Sequence, residues 1–410
     1  GLNIAGWQVN NVINGGRPHP LVSDFETRLE AVDSIGPGER GNLVEAAQTA
    51  VGTSLTHGYR ELRTALGSVD ARPDADPGVW QLPDGDDYYA AVLRHHLTLD
   101  LTPDEVHELG LKNVERLRME ISATLEDMGY DVEGLGFTEA VIAAREDGGT
   151  FTLGSEENRN AVVDLTETHI TQGAEAFASM FTTFPEAALE VQRPRAGREG
   201  ESGAWYRSPP AYGDRPGIYY LNLGGDAKEM QTWATTNYHE AIPGHHFQLA
   251  IQRESAELPL IQRATVFTGY AEGWALYAER LAFEAGLYDD DPQGNVGRLR
   301  MELLRAVRMV VDTGLHHHRW TYDEALDYML DLGFAEDFSR GQIDRYIVWP
   351  GQAPAYLVGM LEVLRVRQKA MDALGDDFNL AAFHDELLRH GSLPLAALEP
   401  LIDVFIEENV

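Results

Sequence analysis

Residues 238–246 read Tyr-His-Glu-Ala-Ile-Pro-Gly-His-His and form the most informative run in the chain. In the HExxH helix of zinc enzymes, two histidines four residues apart face one side and bind one ion, and the adjacent glutamate acts as a base. Here the fourth position after His239 is Pro243, so the strict motif fails. Proline breaks the helical hydrogen-bond ladder, and Gly244 tolerates unusual dihedral angles. A widened turn can therefore bring His245 to the place of the missing histidine.

The second histidine ligand has two candidates. His246 follows His239 by seven residues, which returns it to the same helix face but about 10 Å further along the axis. Two Zn–N bonds of about 2 Å do not span that separation on a straight helix. We therefore favour His239 and His245 as ligands and keep His246 as the rival. Three histidines and one glutamate within eight residues are rare by chance, which favours metal binding over incidental polar side chains.

A second run, residues 270–280, offers the third protein ligand that a catalytic zinc needs. It reads Tyr-Ala-Glu-Gly-Trp-Ala-Leu-Tyr-Ala-Glu-Arg and belongs to the next predicted helix. Glu272 and Glu279 are seven residues apart and share one helix face. We expect Glu272 to be the ligand, because Gly273 lets this helix approach its neighbour closely. Glu279 would then orient a histidine from behind. The alternative is that both carboxylates only cap or solvate their helix.

The composition limits the classes of function that the chain can have. Its 410 residues contain no cysteine, which excludes a thiol nucleophile, a disulfide framework and cysteine-ligated zinc. The 66 acidic and 32 basic residues give a net charge of −34, and such a surface repels phosphate backbones. We therefore expect no nucleic-acid partner. No run of about 18 apolar residues exists, so we expect no membrane span. We favour a cytoplasmic location unless a signal sequence was removed.

Turn residues and hydrophobic periodicity predict a mainly α-helical chain. We expect a single domain over residues 1–410, with an irregular to helical first part over 1–80. A run rich in Tyr and Ile predicts a short β segment over 203–224, as a hairpin or an edge strand. Thr102 and Thr321 each begin a capping box. Helices are predicted near residues 39–68, 88–93, 102–129, 155–180, 229–252, 263–286, 296–318, 322–332, 353–374, 380–390 and 397–408.

Further motifs occur in order along the chain. They include Leu-Pro-Asp-Gly at 82–85, Asp-Thr-Gly-Leu-His at 312–316, Arg-Tyr at 345–346, Pro-Gly-Gln-Ala at 350–353 and Phe-His-Asp at 383–385. With the two runs above, the chain from about Trp80 onward resembles a bacterial family of predicted zinc metallopeptidases called domain of unknown function 885. The resemblance implies a large helical gluzincin-like domain in which two His and a downstream Glu hold one zinc ion. It also implies that the N-terminal region of the family is missing here.

The resemblance also suggests roles for other residues. Glu240 is expected to act as general base, taking a proton from a water molecule activated by zinc. The oxyanion that forms on the attacked carbonyl needs a second electrophile. Tyr346, His316 and Tyr356 are candidates, because the resemblance places them late in the chain as in related peptidases, and Tyr346 is preferred.

The candidates for substrate binding are two arginines, Tyr356, His246 and one strand. Arg345 or Arg215 can hold a peptide carboxylate through two parallel hydrogen bonds, although a structural ion pair is an equally good interpretation of each. Residues 217–223 can bind a peptide backbone by strand addition. His317 and His318 are expected to face solvent, because consecutive helical residues point in different directions.

The sequence therefore predicts a zinc-dependent hydrolase, in the first place a peptidase that cleaves short peptides. One alternative is a degenerate peptidase fold that binds a peptide or a partner without catalysis, which the broken histidine spacing favours. The retained Glu240, which a zinc-binding scaffold does not need, argues against that alternative. Another is a zinc hydrolase of non-peptide amides or esters, which the sequence does not separate from a peptidase.

Overall fold

A computed structural model describes residues 9–10, 12–14, 19–69, 77–194 and 203–409 of the protein. The described chain divides into two compact units. The smaller takes in the described residues up to 69 together with 193–194, and the larger those of 77–192 and 203–409. Both units are mainly α-helical, which confirms the predicted fold class. The expectations of a single domain and of likeness to gluzincins stay predictions.

Three helices of the smaller unit have both ends within the described part of the chain. They are α1 (Pro20–Glu30), α2 (Pro37–Ala50) and α3 (Thr56–Gly67), with a π-helical turn at Val51–Leu55 that joins the last two. The predicted helix near 39–68 is confirmed as α2 and α3. Helix α1 was not predicted, although Pro20 suits a first helical turn and Val22 and Leu29, seven residues apart, are buried on one side.

The larger unit contains fifteen helices among the residues that the structure describes. In chain order they are α4 (Gly85–Leu97), α5 (Pro103–Asp127), α6 (Val132–Leu135), α7 (Phe137–Asp147), α8 (Glu156–Phe177), α9 (Trp233–Glu240), α10 (His245–Glu254), α11 (Leu260–Ala264), α12 (Thr268–Glu284), α13 (Pro292–His316), α14 (Tyr322–Leu330), α15 (Glu336–Val348), α16 (Ala355–Leu374), α17 (Leu380–Arg389) and α18 (Leu398–Asn409). Both predicted capping boxes are present, at the starts of α5 and α14.

Helix α13 is the centre of the larger unit. It is buried along almost its whole length, packs against α5, and also contacts α9, α15 and α16. Helices α12 and α16 form the second close pair. A β-carbon on Gly273 of α12 would lie 2.5 Å from the α-carbon of Gly359 on α16, so only glycine allows the two helices to cross this closely. The expectation that Gly273 lets its helix approach a neighbouring helix closely is therefore confirmed, and the neighbour is α16.

Within the ranges that the structure describes, five short strands form two small sheets. They are β1 (Thr150–Thr152), β2 (Leu189–Gln192), β3 (Trp205–Arg207), β4 (Gly217–Tyr220) and β5 (Ala227–Glu229). Strand β1 pairs with β5, and the other sheet has the order β2-β4-β3. The β3–β4 pair confirms the predicted β segment, and the Tyr219 hydroxyl donates to Asn237 on α9 (3.0 Å), which places this sheet beside the motif helix.

The predictions of an edge strand and of strand addition at 217–223 are wrong for β4. It is the central strand, with β2 parallel on one side and β3 antiparallel on the other. Its backbone groups over Gly217–Tyr220 are therefore already paired. The sequence did not predict β2, because Leu189–Gln192 is only four residues long and lies between irregular segments.

Candidate metal centre

The predicted helix over 229–252 is interrupted in the middle. Helix α9 ends at Glu240 and α10 begins at His245, with Ala241 and Gly244 outside helical geometry. A β-carbon on Gly244 would overlap the backbone oxygens of Tyr238 and His239, so the turn folds tightly back on the end of α9. The Pro-Gly pair thus ends one helix and starts another.

Trp274 of helix α12 holds this turn from the other side. Its indole nitrogen donates a hydrogen bond to the carbonyl of Pro243 (2.8 Å), and both groups are buried. An indole N–H inside a protein needs an acceptor, and the turn supplies one. The turn is therefore tied to the helix that carries the candidate carboxylate ligand.

The turn brings three side chains together. Nε2 of His239 lies 3.6 Å from Oε2 of Glu272, and Nε2 of His245 lies 3.4 Å from the same oxygen. The three atoms all lie within 4.8 Å of one another. Four ligands at about 2 Å from a zinc ion in a tetrahedral arrangement are about 3.3 Å apart. The separations match a site in which three corners are protein atoms and the fourth is open.

Glu279 fixes the orientation of His239. Its carboxylate accepts a hydrogen bond from Nδ1 of His239 (2.8 Å) and another from the hydroxyl of Thr235 (2.6 Å). Burial opposes ionisation of this carboxyl, but Arg305, 3.6 Å away, and the contact with His239 hold the pKa of Glu279 below its ordinary value. Because Nδ1 carries the proton, the lone pair of Nε2 points to Glu272 and His245, as metal ligation requires.

Glu240 lies beside the three ligand atoms. It is buried, and its Oε2 atom has no hydrogen-bond partner among the described residues. Burial raises the pKa of this carboxyl, against the attraction of His245 and His239. A buried carboxylate with a free oxygen and a raised pKa fits the general base expected from the sequence at Glu240, and that role stays a prediction.

His246 points away from the ligand atoms. Its Nδ1 accepts a hydrogen bond from the hydroxyl of Tyr206 on β3 (2.9 Å), and a β-carbon on Gly217 of β4 would lie 2.7 Å from the same atom. The side chain is buried against the three-stranded sheet. Of the two histidines that the sequence left open, the structure therefore brings His245 to the site.

The structure does not bring His316 to the site. The amide of Val79 donates to its Nδ1 (3.2 Å), and its Nε2 donates to the carbonyl of Tyr346 (3.0 Å), so both ring nitrogens are used. Burial lowers the pKa of His316 to about 4. It follows Arg305 on α13 by eleven residues, or about 16 Å along the axis, and Arg305 is the residue of that helix that reaches Glu279.

Tyr346 and Tyr356 lie on the side of the site formed by helices α13, α15 and α16. The buried hydroxyl of Tyr346 donates to Gln342 (3.2 Å) and lies beside Arg308. The Tyr356 ring centroid lies 4.6 Å from the guanidinium carbon of Arg308. Both tyrosines thus contact an arginine that the sequence had not singled out.

The two arginines proposed for substrate binding have different surroundings. Arg345 donates to the hydroxyl of Tyr356 (3.2 Å) and therefore lies in the same group as Arg308. Arg215 instead donates to the carbonyls of Ser208 (2.5 Å) and Pro216 (2.8 Å), bracing the connection between β3 and β4. Arg215 has a structural position, because its hydrogen bonds serve its own loop.

Arg305 and Arg308 are the residues of this region that the sequence did not predict. Both are buried on helix α13, in a run that is otherwise apolar. Arginine inside an apolar helical stretch is unusual, because burying a charge is costly without compensation. Two arginines within an apolar helical run were therefore the signal in the sequence that could have identified Arg305 and Arg308 as candidates.

A second group in the described part of the chain could also hold an ion. Helix α13 ends at His316, so His317 and His318 leave helical geometry and both reach Asp104, at 3.1 and 3.5 Å. His318 is exposed, as expected, whereas His317 is half-buried, and the two side chains meet at Asp104 because the helix does not continue through them. This group is more exposed than the first: Asp104 and His318 are exposed and His317 is half-buried.

Comparison with known proteins agrees with the motifs. A family model described as "Bacterial protein of unknown function (DUF885)" matches residues 7–402. The chain belongs to this family. A search of curated proteins gave no match. Within the described residues, no helix is long and apolar enough to cross a membrane.

Two solved structures are similar to the chain. One is a "putative lipoprotein" from Colwellia psychrerythraea, with 34% identity and a TM-score of 0.92, covering 98% of this chain and 69% of that one. The other is a "putative lipoprotein of unknown function" from Shewanella oneidensis, with 17% identity and a TM-score of 0.69, covering 92% of this chain and 69% of that one. The second similarity shows the fold alone.

Proposed function

We propose that the protein is a zinc-dependent hydrolase whose substrates are short peptides. The observation that supports this most is the convergence of His239, His245 and Glu272 on one point, with the buried carboxylate of Glu240 beside it. Two imidazoles and one carboxylate form a donor set that suits zinc, and three protein ligands leave the open corner that a catalytic site needs. One ion per chain is expected at this centre.

A bound zinc ion supplies Lewis acidity, which polarises the substrate carbonyl and makes a water molecule acidic. Oε2 of Glu240 then takes a proton from that water as its oxygen bonds to the carbonyl carbon. When the C–N bond breaks, Glu240 passes the proton to the leaving nitrogen, so the products are a carboxylic acid and an amine. The absence of another hydrogen-bond partner for Oε2 among the described residues leaves this oxygen free for both transfers.

The other residues hold the site in place for this reaction. Glu279 keeps the proton of His239 on Nδ1, and Trp274 holds the turn that positions His245. The hydroxyl of Tyr346 is our candidate donor to the oxyanion. Burial raises its pKa, so it stays protonated and able to donate at neutral pH.

A Glu240→Gln variant tests the proposal. The wild-type protein, loaded with zinc, is incubated with a pooled peptide library and the products are read by mass spectrometry. We expect cleavage by the wild type, at least a 100-fold loss in Glu240→Gln, and unchanged zinc content, since Glu240 is not a ligand. Glu257→Gln, the same change at an exposed glutamate, should cleave like the wild type. Peptide binding without cleavage by the wild type would instead favour the non-catalytic alternative.

We also propose that the protein acts in the cell envelope rather than in the cytoplasm. The support is the description of the similar structure from Colwellia psychrerythraea as a "putative lipoprotein", at 34% identity. The cytoplasmic location favoured by composition has no such support. Cell fractionation of the native host, with antibody detection, distinguishes the two locations.

A further inference from the structure

Three arginines surround one tyrosine ring close to the candidate metal centre. The guanidinium carbons of Arg308, Arg305 and Arg345 lie 4.6, 5.8 and 5.9 Å from the ring centroid of Tyr356. Arg305 also lies 3.6 Å from Glu279, which itself contacts His239. This arginine cluster, defined as Arg305, Arg308 and Arg345, is therefore two side-chain contacts away from a candidate zinc ligand.

The cluster has more positive charge than its protein surroundings neutralise. Arg305 has Glu279 as a carboxylate partner, but Arg308 and Arg345 have none within 4.0 Å among the described residues. Their hydrogen bonds go to neutral groups, from Arg308 to the amide oxygen of Gln342 (3.0 Å) and from Arg345 to the amide oxygen of Gln352 (2.7 Å) and the hydroxyl of Tyr356 (3.2 Å). Glutamine orients a guanidinium without cancelling its charge, so the charge remains available for an anion.

Arg308 makes this argument strongest. It is only 7% exposed, and its Nε atom has no hydrogen-bond partner in the described part of the chain. The Nε atom of Arg305, which is 5% exposed, has none either. A buried guanidinium with a free N–H and no carboxylate partner is costly to keep, and a ligand carboxylate would repay that cost through two parallel hydrogen bonds.

We propose that Arg308 and Arg345 bind the C-terminal carboxylate of a peptide substrate, so that cleavage takes place near the C-terminal end of the peptide. The carboxylate would accept hydrogen bonds from both guanidinium groups over the Tyr356 ring. Both Arg305 and Arg308 are attracted electrostatically by Glu272, so an anion held by the cluster lies near the metal ligands. The cleavage part rests on the proposed function, whereas the binding part does not.

The test measures binding apart from turnover. The probes are two pools of N-dansyl hexapeptides with the same randomised sequences, one with free C-terminal carboxylates and one with C-terminal amides. Fluorescence anisotropy reports their binding to the Glu240→Gln protein, with zinc and after chelation. We expect the free acids to bind about 10- to 100-fold more tightly than the amides, as is usual for hydrogen bonds to charged groups.

Substitutions locate the carboxylate. In Arg308→Gln we expect the preference for free acids to fall to about threefold or less, while the affinity for the amide pool stays the same. Arg345→Gln should reduce the preference in the same direction, and because Arg345 is only half-buried it gives a second test if Arg308→Gln does not fold. Arg340→Gln, an exposed position on the same helix as Arg345, is the matched control and should keep the full preference.

Three outcomes of the binding measurements would overturn the inference. One is equal binding of the acid and amide pools, and another is an undiminished preference in folded Arg308→Gln and Arg345→Gln proteins. The third is that an amide pool carrying one internal aspartate binds as tightly as the free acids, which would mean that side-chain carboxylates are recognised instead. Wild-type cleavage of acids and amides at equal rates would refute this inference and leave the proposed function intact. If the free acids bind more tightly but no peptide is cleaved, the binding inference stands and the proposed function is refuted.

Discussion

The contact between Glu279 and His239 allows a quantitative prediction for zinc affinity. Glu279→Gln keeps the shape of the side chain but removes its charge. The amide oxygen can still accept from Nδ1 of His239, and the amide N–H₂ can donate to the Thr235 hydroxyl, which now faces the carboxylate at 2.6 Å. His239 should therefore keep its position while it loses a charged acceptor that strengthens its Nε2 lone pair.

The expected loss is about 10- to 100-fold in zinc affinity, or about 1.4 to 2.8 kcal/mol, because replacing a partner that orients a metal-bound histidine typically has this effect. The substitution also removes the carboxylate partner of Arg305, whose side chain is 6% exposed. Breaking a buried ion pair in this way costs about 3 kcal/mol or more of unfolding free energy. The metal-free variant should therefore unfold at lower urea concentration than the wild type.

A competition titration against a chromophoric chelator measures the zinc affinity, and urea unfolding of the chelated proteins measures stability. Glu284→Gln is the matched control for zinc affinity, since it makes the same change on the same helix at a carboxylate that pairs with Arg280 and Arg367 rather than with a histidine of the site. Unchanged zinc affinity in Glu279→Gln would refute the role given to this carboxylate. Complete loss of zinc in Glu279→Gln, with full binding by Glu272→Gln, would show that the ligand and the orienting residue are reversed.

Three further predictions concern the surroundings of the site. Gly273→Ala should lower the unfolding free energy by about 3 kcal/mol and weaken zinc binding, because the added β-carbon would lie 2.5 Å from the α-carbon of Gly359. Urea unfolding measures the loss. Gly341→Ala is the control and should not destabilise the protein, because a β-carbon there meets nothing within 4 Å. Trp274→Phe should lower the unfolding free energy by about 1 to 3 kcal/mol and weaken zinc binding, because the Pro243 carbonyl loses its hydrogen-bond donor. Unchanged values in both measurements would contradict the role of the indole in holding the turn. Burial lowers the pKa of His384 to about 4, against about 6.5 in an unfolded chain. Between these two pH values the unfolded state therefore binds more protons than the folded state. The unfolding free energy should fall as the pH drops from about 6.5 to 4, by up to about 1.4 kcal/mol per pH unit. His384→Gln should reduce that slope in urea unfolding from pH 7 to 4.5, and an identical slope would count against the assignment.

The pH prediction depends on which ring nitrogen of His384 carries the proton. Nδ1 donates to the carbonyl of Met180 (2.8 Å), and Nε2 accepts from the hydroxyl of Tyr277 (2.8 Å). Arg367 already donates to that hydroxyl (3.1 Å), which leaves its proton directed at His384. A second proton on the ring would face the Tyr277 proton, so the fold favours neutral His384 and its pKa is lowered.

The sequence predicted the helical fold well where local patterns are strong. The capping boxes at Thr102 and Thr321 and the long amphipathic helices α5 and α13 were all predicted and are present. Helix α15 was missed, because Glu336–Val348 contains many charged residues and only a weak apolar face. The strands β1 and β5 have three residues each, too few for an alternating pattern to be recognised.

The same distinction applies to the site. His239, Glu240 and His245 lie in one short run, so a local argument about the Pro-Gly turn was enough to select them. Arg308 reaches the site through tertiary packing of α13 against α15 and α16, and no local pattern fixes which face of a buried helix looks into a site. His316 is the converse case, because the expectation for it rested only on its position late in the chain, whereas its ring nitrogens bind backbone groups of Val79 and Tyr346.

Zinc stoichiometry in matched histidine variants tests the central claim most directly. The protein is stripped of metal, dialysed against zinc at a concentration near that of the protein, and analysed for zinc by elemental analysis together with His239→Ala and His317→Ala. We predict about one zinc per chain in the wild type, almost none in His239→Ala, and full content in His317→Ala, whose side chain belongs to the exposed group with Asp104. Zinc retained in His239→Ala but lost in His317→Ala would place the ion at the surface group and contradict the proposed centre.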